Sequence, residues 1–469
     1  MDLSPEACSL AVILAVVVVA WVTEILPLPV TALAGAAACV LAGVAPMREV
    51  FRPFADPLIF LFIGSFMLAE AIRVHRLDRR LAFAVLALPA VGEHPGRVLA
   101  AVAAVSATIS AFISNTATTA MMTTIAVGIL AAVEDAGSAA GDGASRRPDR
   151  TWATGLLLAV AFGASIGGLA TPIGTPPNVI GLGLIRKELG VEVPFLRWCA
   201  IGVPVAVILT ALAVALLGRL FPAGVDRLDG VAALVARERA TMGRWTAGQA
   251  STALAFAVTV SLWVLPGVLG LVLGEAHPLP ALLAARVPEG VAALVGAILL
   301  FVLPGGPGRK ALSWREAAAI DWGIILLYGG GMALGELSFS TGLAEAIGRG
   351  LTGFLPPGAG VAGLVAAAAV VAALTSEFTS NTASANMVVP VAISLAQAAG
   401  EDALPVALAA TFAASLGFMM PVSTPCNSIV YGTGRIRLRD MIRAGLFLDV
   451  AGTVIIAAVI IAAAMIAAG

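Results

Sequence analysis

The chain has 469 residues, of which 60% are hydrophobic and only 12% charged, and its mean hydropathy is +1.01. Soluble domains carry about a quarter charged residues, so this composition excludes a soluble enzyme, having too little polar surface to cover a globule of this size. The formal net charge of −1 offers no basic field for a nucleic acid, and no nucleic-acid partner is expected.

Asp, Glu, Lys and Arg are absent between Arg97 and Glu134, Arg150 and Arg186, Arg197 and Arg219, and Arg244 and Glu275. They are absent again between Arg349 and Glu377, between Asp402 and Arg435, and from Val450 onward. Each window is long enough for the roughly 20 apolar residues of a membrane helix. In chain order the spacing predicts spans near 8–26, 28–46, 57–72, 81–92, 97–133, 152–189, 195–221, 250–274, 288–304, 319–340, 358–399, 403–434 and 444–468. The fold expected is an all-α, polytopic protein of the cell membrane with about ten or more spans. The N-terminal run has no basic n-region and continues into a second span, so it is not expected to be a cleaved signal peptide. Solvated loops are expected at Glu134–Arg150 and Gly224–Arg244. Arginines cluster at Arg73–Arg80, Arg237–Arg244 and Arg435–Arg443, but the span counts between them leave the orientation open.

Several windows are too long for one helix. Arg150 to Arg186 encloses 35 uncharged residues, which as a helix would reach about 52 Å against a hydrocarbon core of about 30 Å. Such stretches must hold two segments or a broken one. Two motifs recur inside them. Ser114-Asn115-Thr116-Ala117 returns as Ser380-Asn381-Thr382-Ala383, with Met121 and Ala126 matching Met387 and Ala392 in phase. Pro172-Ile173-Gly174-Thr175-Pro176-Pro177-Asn178 returns as Pro421-Val422-Ser423-Thr424-Pro425-Cys426-Asn427, with Ile180 matching Ile429. Two motifs in the same order, each inside an apolar stretch, indicate duplication. Paired interruptions of this kind point to the binding site of a secondary transporter.

Proline removes a backbone donor and breaks a helix, and in hydrocarbon a break is tolerated only where it is buried or lines a wet cavity. It leaves free amides, which favour anions at a helix N-terminus, and free carbonyls, which suit a small hard cation. Ser, Thr and Asn add hydroxyl and amide groups of both characters. No Arg or Lys lies within the four motifs. An anion held there must rely on amides, hydroxyls and a co-bound cation. Helix packing by small and hydroxylated residues would account for one such motif, but not for a doubled, Pro-broken pair.

The sequence resembles the divalent anion/sodium symporter family, the INDY-type carriers of dicarboxylates, citrate and sulfate. The resemblance rests on the paired SNT motifs, Gly174–Asn178 and Ser423–Asn427. Trp21-Val22-Thr23-Glu24, Asp321-Trp322-Gly323, Tyr328–Gly331 and Ser376-Glu377-Phe378-Thr379 support it, and it runs from about Leu10 to Ile466. It implies two inverted repeats with re-entrant hairpins and discontinuous helices, arranged as scaffold and transport domains of an elevator-type homodimer. The expected division is scaffold helices at 1–98 and 250–357, and transport parts at 99–249 and 358–469. By motif, one sodium would be held by Ser110, Ser114, Asn115 and Gly174, and another by Ser376, Ser380, Asn381 and Ser423. Substrate carboxylates would meet Ser114, Asn115, Thr116, Ser380, Asn381 and Thr382, with Thr424 and Pro425 across the cleft.

The implied function is sodium-coupled symport of small dianions, C4 dicarboxylates first. Sodium-independent exchange, and sulfate or citrate as substrate, are the alternatives. Sodium is the co-transported ion, no organic cofactor is expected, and the protein is not expected to be an enzyme. Cys426 and Ser423 depart from the family pattern without removing a liganding group, and intact Ser and Asn in both SNT copies favour sodium coupling.

Other residues carry plainer expectations. Glu24 is read as interfacial, Glu377 as support for the second hairpin more than as a ligand, and Asp449, near Arg443, as a paired or interfacial charge. His75, His94 and His277 lack partners at metal-ligand spacing. The four cysteines are not expected to form disulfides. Trp21, Trp152, Trp198 and Trp245 are expected to anchor span ends at the interface. Tyr328–Gly331 is expected to permit close helix packing.

Overall fold

The computed structural model describes residues 3–139, 150–274, 277–353 and 360–468, so the centre of the 134–150 loop lies outside them. Apart from a small antiparallel hairpin, β1 (Pro304–Gly306) and β2 (Arg309–Lys310), the regular structure is helical. The first half runs α1 (Pro5–Thr23), α2 (Leu28–Leu41), α3 (Met47–Val50), α4 (Pro57–Val74), α5 (Leu77–Leu86), α6 (Pro95–Ser110), α7 (Asn115–Ala139), α8 (Arg150–Gly167), α9 (Pro176–Leu189), α10 (Phe195–Leu220) and α11 (Val231–Met242). The second runs α12 (Ala247–Leu273), α13 (Pro278–Arg286), α14 (Glu289–Val302), α15 (Trp314–Ala317), α16 (Trp322–Ser340), α17 (Leu343–Thr352), α18 (Gly360–Phe378), α19 (Asn381–Ala398), α20 (Ala403–Ala413), α21 (Pro425–Tyr431) and α22 (Leu438–Ala468).

Among the described residues, eight helices are long and apolar enough to cross a membrane, and the pair α13–α14, bent by 61°, makes a ninth. The overlong windows resolve as their length demanded. Residues 97–133 hold α6 and α7, and 358–399 hold α18 and α19, each pair turning at its SNT motif. Residues 152–189 hold α8 and α9, and 403–434 hold α20 and α21, each pair broken ahead of its Thr-Pro step. Proline starts both α9 and α21, where its missing N–H costs nothing. The stretch 81–92 is no span: α5 ends at Leu86, burying Leu77, Ala82, Phe83 and Leu86 while Arg79 bonds Glu238 at 2.6 Å.

The packing repeats with the sequence. Hairpin helix α6 lies on α8, and α18 on α20; α10 backs the first pair and α22 the second. The halves interlock, because α19 packs on α9 and α7 on α21. Around this body α4 packs on α14, α2 on α16 and α1 on α2. The glycines of Tyr328–Gly331 serve the expected close approach: a Cβ would fall 2.5 Å from the Phe54 ring at Gly329 and 2.6 Å from Ala32 at Gly330. Asp56 ties three elements, capping α4 through Leu58 N–H at 2.9 Å and accepting from Arg186 at 2.5 Å and Tyr328 Oη at 3.1 Å.

The tryptophans correct an expectation. Of the four expected at span ends, Trp21, Trp152 and Trp198 are buried and Trp245 is exposed. Trp198 stacks on Phe412, with ring centroids 4.3 Å apart, and donates to Leu169 O at 3.0 Å. Large rings inside a bundle fill volume between helices, and the indole N–H finds its acceptor at the break.

Candidate functional site

In the first repeat the α6–α7 hairpin tip meets the α8–α9 break. The Asn115 amide touches Ser110 Oγ at 2.6 Å, Gly174 O at 3.1 Å and Ala164 O at 3.3 Å, and turning its nitrogen toward them satisfies all three oxygens. The approach requires glycine: a Cβ on Gly168 would sit 2.7 Å from Asn115 Oδ1. The break is held open by Asn178, whose Nδ2 donates to Gly168 O at 2.9 Å and Thr171 O at 2.8 Å. Thr171 donates to Ala111 O at the hairpin tip.

The second repeat rebuilds this plan. Ser376 donates to Asn381 Oδ1 at 2.7 Å and to Ala414 O at 2.8 Å. A Cβ on Gly417 would lie 3.2 Å from Asn381 Oδ1, 3.3 Å from Ser376 Oγ and 3.3 Å from Ser423 Cβ. Asn427 staples its break as Asn178 does, donating to Gly417 O and Met420 O at 2.9 Å each. Ser380 caps α19 by accepting from Ala383 N–H at 3.1 Å, and Thr424 caps α21 by accepting from Asn427 N–H at 3.1 Å. These caps satisfy amides that a helix N-terminus leaves free.

Between the two tips lies a cavity of about 860 Å³. Ser114, Asn115, Thr116, Gly174, Ser380, Asn381, Thr382, Ser423, Thr424, Pro425 and Cys426 all line it, so residues some 300 positions apart in sequence converge. Ser110 and Ser376 stand behind the lining, fully buried and bonded to the two asparagines. The charged residues in the lining are Glu24 and Asp321, both acidic, and no Arg or Lys is among them. Glu24, expected at an interface, closes α1 in a left-handed conformation (φ 49°) at the cavity edge. A neighbouring cavity of about 480 Å³ shares Phe66, Ser114, Ala117, Ala120 and Asp321 with it and carries Arg73, Arg76 and Arg79. Arg73 pairs with Glu70 and Arg79 with Glu238.

The sequence reading missed some contributors. Asn178 and Asn427, fully buried, fasten the breaks; their repetition was visible, but not that each spans back seven and ten residues. Glu377 supports the second break, accepting from Met419 N–H at 2.9 Å, Met420 N–H at 3.2 Å and Ser423 Oγ at 2.9 Å. Asp449 differs from expectation: it is buried and forms no ion pair with Arg443 among the described residues. Six residues put Arg443 more than a turn and a half away on α22.

Hairpin tips meeting broken helices around a cavity lined by their Ser, Asn and Thr side chains define a membrane carrier. The chain matches the family described as the sodium:sulfate symporter transmembrane region over residues 1–467. It belongs to that family, and it is a multi-pass transporter of the plasma membrane. It is 31% identical to an uncharacterised transporter of Haemophilus influenzae over 463 residues, 97% of this chain and 92% of the relative. It is 29% identical over 444 residues to the sodium-dependent dicarboxylate transporter SdcS of Staphylococcus saprophyticus, covering 94% of this chain and 83% of that one. In fold it is similar to the YdaH transporter of Alcanivorax borkumensis, with a TM-score of 0.58, 16% identity and coverage of 90% and 86%. MtrF of Neisseria gonorrhoeae gives a TM-score of 0.57 at 12% identity, with coverage of 90% and 83%.

Proposed function

We propose that this protein is a sodium-coupled symporter of small dianions, C4 dicarboxylates such as succinate, fumarate and malate first among them. The observation that carries this reading is the cavity itself: both SNT motifs and both Thr-Pro breaks line it, and no Arg or Lys does. A dianion in such a place is uncompensated, and an unpaired charge in low dielectric is heavily penalised. Cations must therefore enter with it. The neutral oxygens of Ser110, Asn115 and Gly174 in one repeat, and of Ser376, Asn381 and Ser423 in the other, are the hard ligands that sodium takes. Ser114 and Ser380 complete the two sets.

Sodium draws Asn115 Oδ1 toward Ser110 and Gly174 in place of its Nδ2, and so arranges the hairpin tip. The two tips then present Ser114, Asn115, Thr116, Ser380, Asn381 and Thr382 to the substrate carboxylates, with Thr424 and Pro425 opposite. In this reading the Thr424 hydroxyl, engaged as a cap, orients α21 and its amides more than it reaches the anion. Translocation proceeds by an elevator movement of a homodimer. Residues 99–249 and 358–469 carry the site past a scaffold of residues 1–98 and 250–357. Arg76, with no ion pair among the described residues, partly offsets the Glu70, Asp78, Glu238 and Asp321 carboxylates of the neighbouring cavity on the dianion's approach.

The dicarboxylate name of the staphylococcal relative supports the substrate class. The test is labelled succinate uptake into proteoliposomes, with an inward sodium gradient, a potassium control, and vesicles with and without internal dicarboxylate. Uptake that requires sodium and no internal substrate is expected. Uptake that requires internal dicarboxylate and ignores sodium identifies an exchanger and refutes the coupling. Competition by sulfate or citrate at lower concentration than by succinate refutes the substrate class.

A further inference from the structure

The second repeat carries two carboxyl groups where the first has none. The matched motifs place Ser110 with Ser376 and Gly168 with Gly417, so Ala111 corresponds to Glu377. Gly202 of α10 packs on the Leu169 and Ala170 carbonyls, and Gly445 of α22 packs on the Phe418–Met419 peptide, each with no space for a Cβ. Counting one helical turn on from these glycines matches Ala206 with Asp449. Ala111 and Ala206 are both buried. The two acids thus occupy paired positions that in the first repeat are both alanine.

Asp449 is 7% exposed and Glu377 1%. Asp449 faces Glu377 and the Phe418 amide across the α18–α22 contact. The Glu377 oxygens are engaged by the Met419 and Met420 amides and the Ser423 hydroxyl. Neither Asp449 oxygen reaches good hydrogen-bond geometry with Glu377, with the Phe418 amide or with any other of the described residues, and the basic side chain nearest in sequence, Arg443, does not reach them. A buried carboxyl facing another, with two open oxygens, needs a positive counterpart.

We propose that Asp449 and Glu377 form a further cation site, distinct from the two SNT positions, that takes a sodium ion. The inference rests on the sodium-coupled reading and adds a site to it. A sodium ion, which the coupled reading already supplies, engages several oxygens at once, and a proton held between the two carboxyls is the alternative that the test separates. The SNT chemistry does not itself need these acids, because the first repeat builds its own pocket with alanines in both places. Ser423 donates to Glu377 Oε2 and lines the cavity, so occupancy here is linked to the second hairpin and to the anion beside it.

The test is equilibrium binding of radioactive sodium to the purified full-length protein without substrate, together with the ratio of sodium to succinate flux in proteoliposomes. Asp449→Asn is expected to bind a single sodium fewer per chain and to lower the flux ratio by the same amount. The double variant Glu377→Ala/Asp449→Ala copies the residue pair of the first repeat, and is expected to do likewise should Asp449→Asn not purify as a monodisperse protein. Asn115→Ala, which disturbs an SNT position, is the reference. If it loses sodium while the acid variants bind as much as the wild type, the added site is refuted and the sodium-coupled reading stands. If the acid variants lose sodium but no protein carries succinate, the site stands and the substrate reading fails. Unchanged sodium binding with a changed proton flux gives the pair to a proton and overturns the proposal.

Discussion

A methyl group at Gly168 would crowd the proposed first cation position. A Cβ there would stand 2.7 Å from Asn115 Oδ1, 2.9 Å from its Nδ2 and 3.1 Å from Thr175 Cβ. Real Cβ contacts do not come that close, so Asn115 must withdraw by several tenths of an ångström. At the matching Gly417 the nearest atoms are 3.2 and 3.3 Å away, which a small shift relieves. Overpacking a tight site costs about 1–3 kcal/mol, and here it falls on a side chain proposed to hold an ion at about 2.4 Å. If about 1.4 kcal/mol of that appears in sodium binding, the sodium concentration for half-maximal uptake rises about tenfold in Gly168→Ala. Gly417→Ala is expected to change it only about twofold, on the scale of a few tenths of a kcal/mol. The assay is succinate uptake into proteoliposomes against sodium, at saturating succinate, with each variant checked for monodispersity. Equal effects, or a larger effect at Gly417, would refute the placement of Asn115 against Gly168 as the tighter contact.

Three further outcomes follow from the same geometry. Asn115→Ala and Asn381→Ala are each expected to raise the sodium requirement and weaken succinate binding; wild-type kinetics in both would remove the SNT asparagines from the site. Cys426 lines the cavity but is only 1% exposed, so a thiol reagent should modify it more slowly than exposed Cys8 and inhibit transport, and sodium with succinate should slow it further. Labelling indifferent to those ligands would place Cys426 outside the substrate path. Arg76→Gln is expected to raise the succinate KM about two- to threefold at low ionic strength and little at high salt, where the Debye length is short; a salt-independent effect would refute an electrostatic approach.

The duplication was readable because its signals are chemical. Charge-free windows longer than a span, interrupted by Ser-Asn-Thr and Thr-Pro in the same order, leave few structures in a medium that forbids open backbone. The lining of the cavity was accordingly legible residue by residue. What sequence could not supply was which interior groups face each other. Asp449 looked like a charge for Arg443 because they share a segment, yet helix geometry turns them apart and Gly445 brings Asp449 onto the other break. Trp152 and Trp198 sit at ends of apolar runs, where an interface anchor and a buried ring look alike until a neighbour such as Phe412 is known. The segment 81–92 was apolar enough to suggest a span, but its helix is short and lies with one face buried.

Under the proposed coupling, the charge distribution would set the order of binding. With Glu24 and Asp321 as the charged residues of the lining, the cavity repels a dianion before any cation arrives, and attracts the cation instead. At an effective dielectric of about 20, a unit charge at about 4 Å contributes about 4 kcal/mol, enough to make the anion's affinity depend on the ions already present. The same coupling works in reverse, since linkage obliges the anion to hold the sodium ions as firmly as they hold it. An SNT site with fixed arginines would bind the dianion well in every state and release it slowly. Supplying the positive charge from mobile ions makes affinity conditional on the sodium concentration at whichever membrane face the cavity opens to. In the proposed symporter, that condition would convert a sodium gradient into a gradient of the anion.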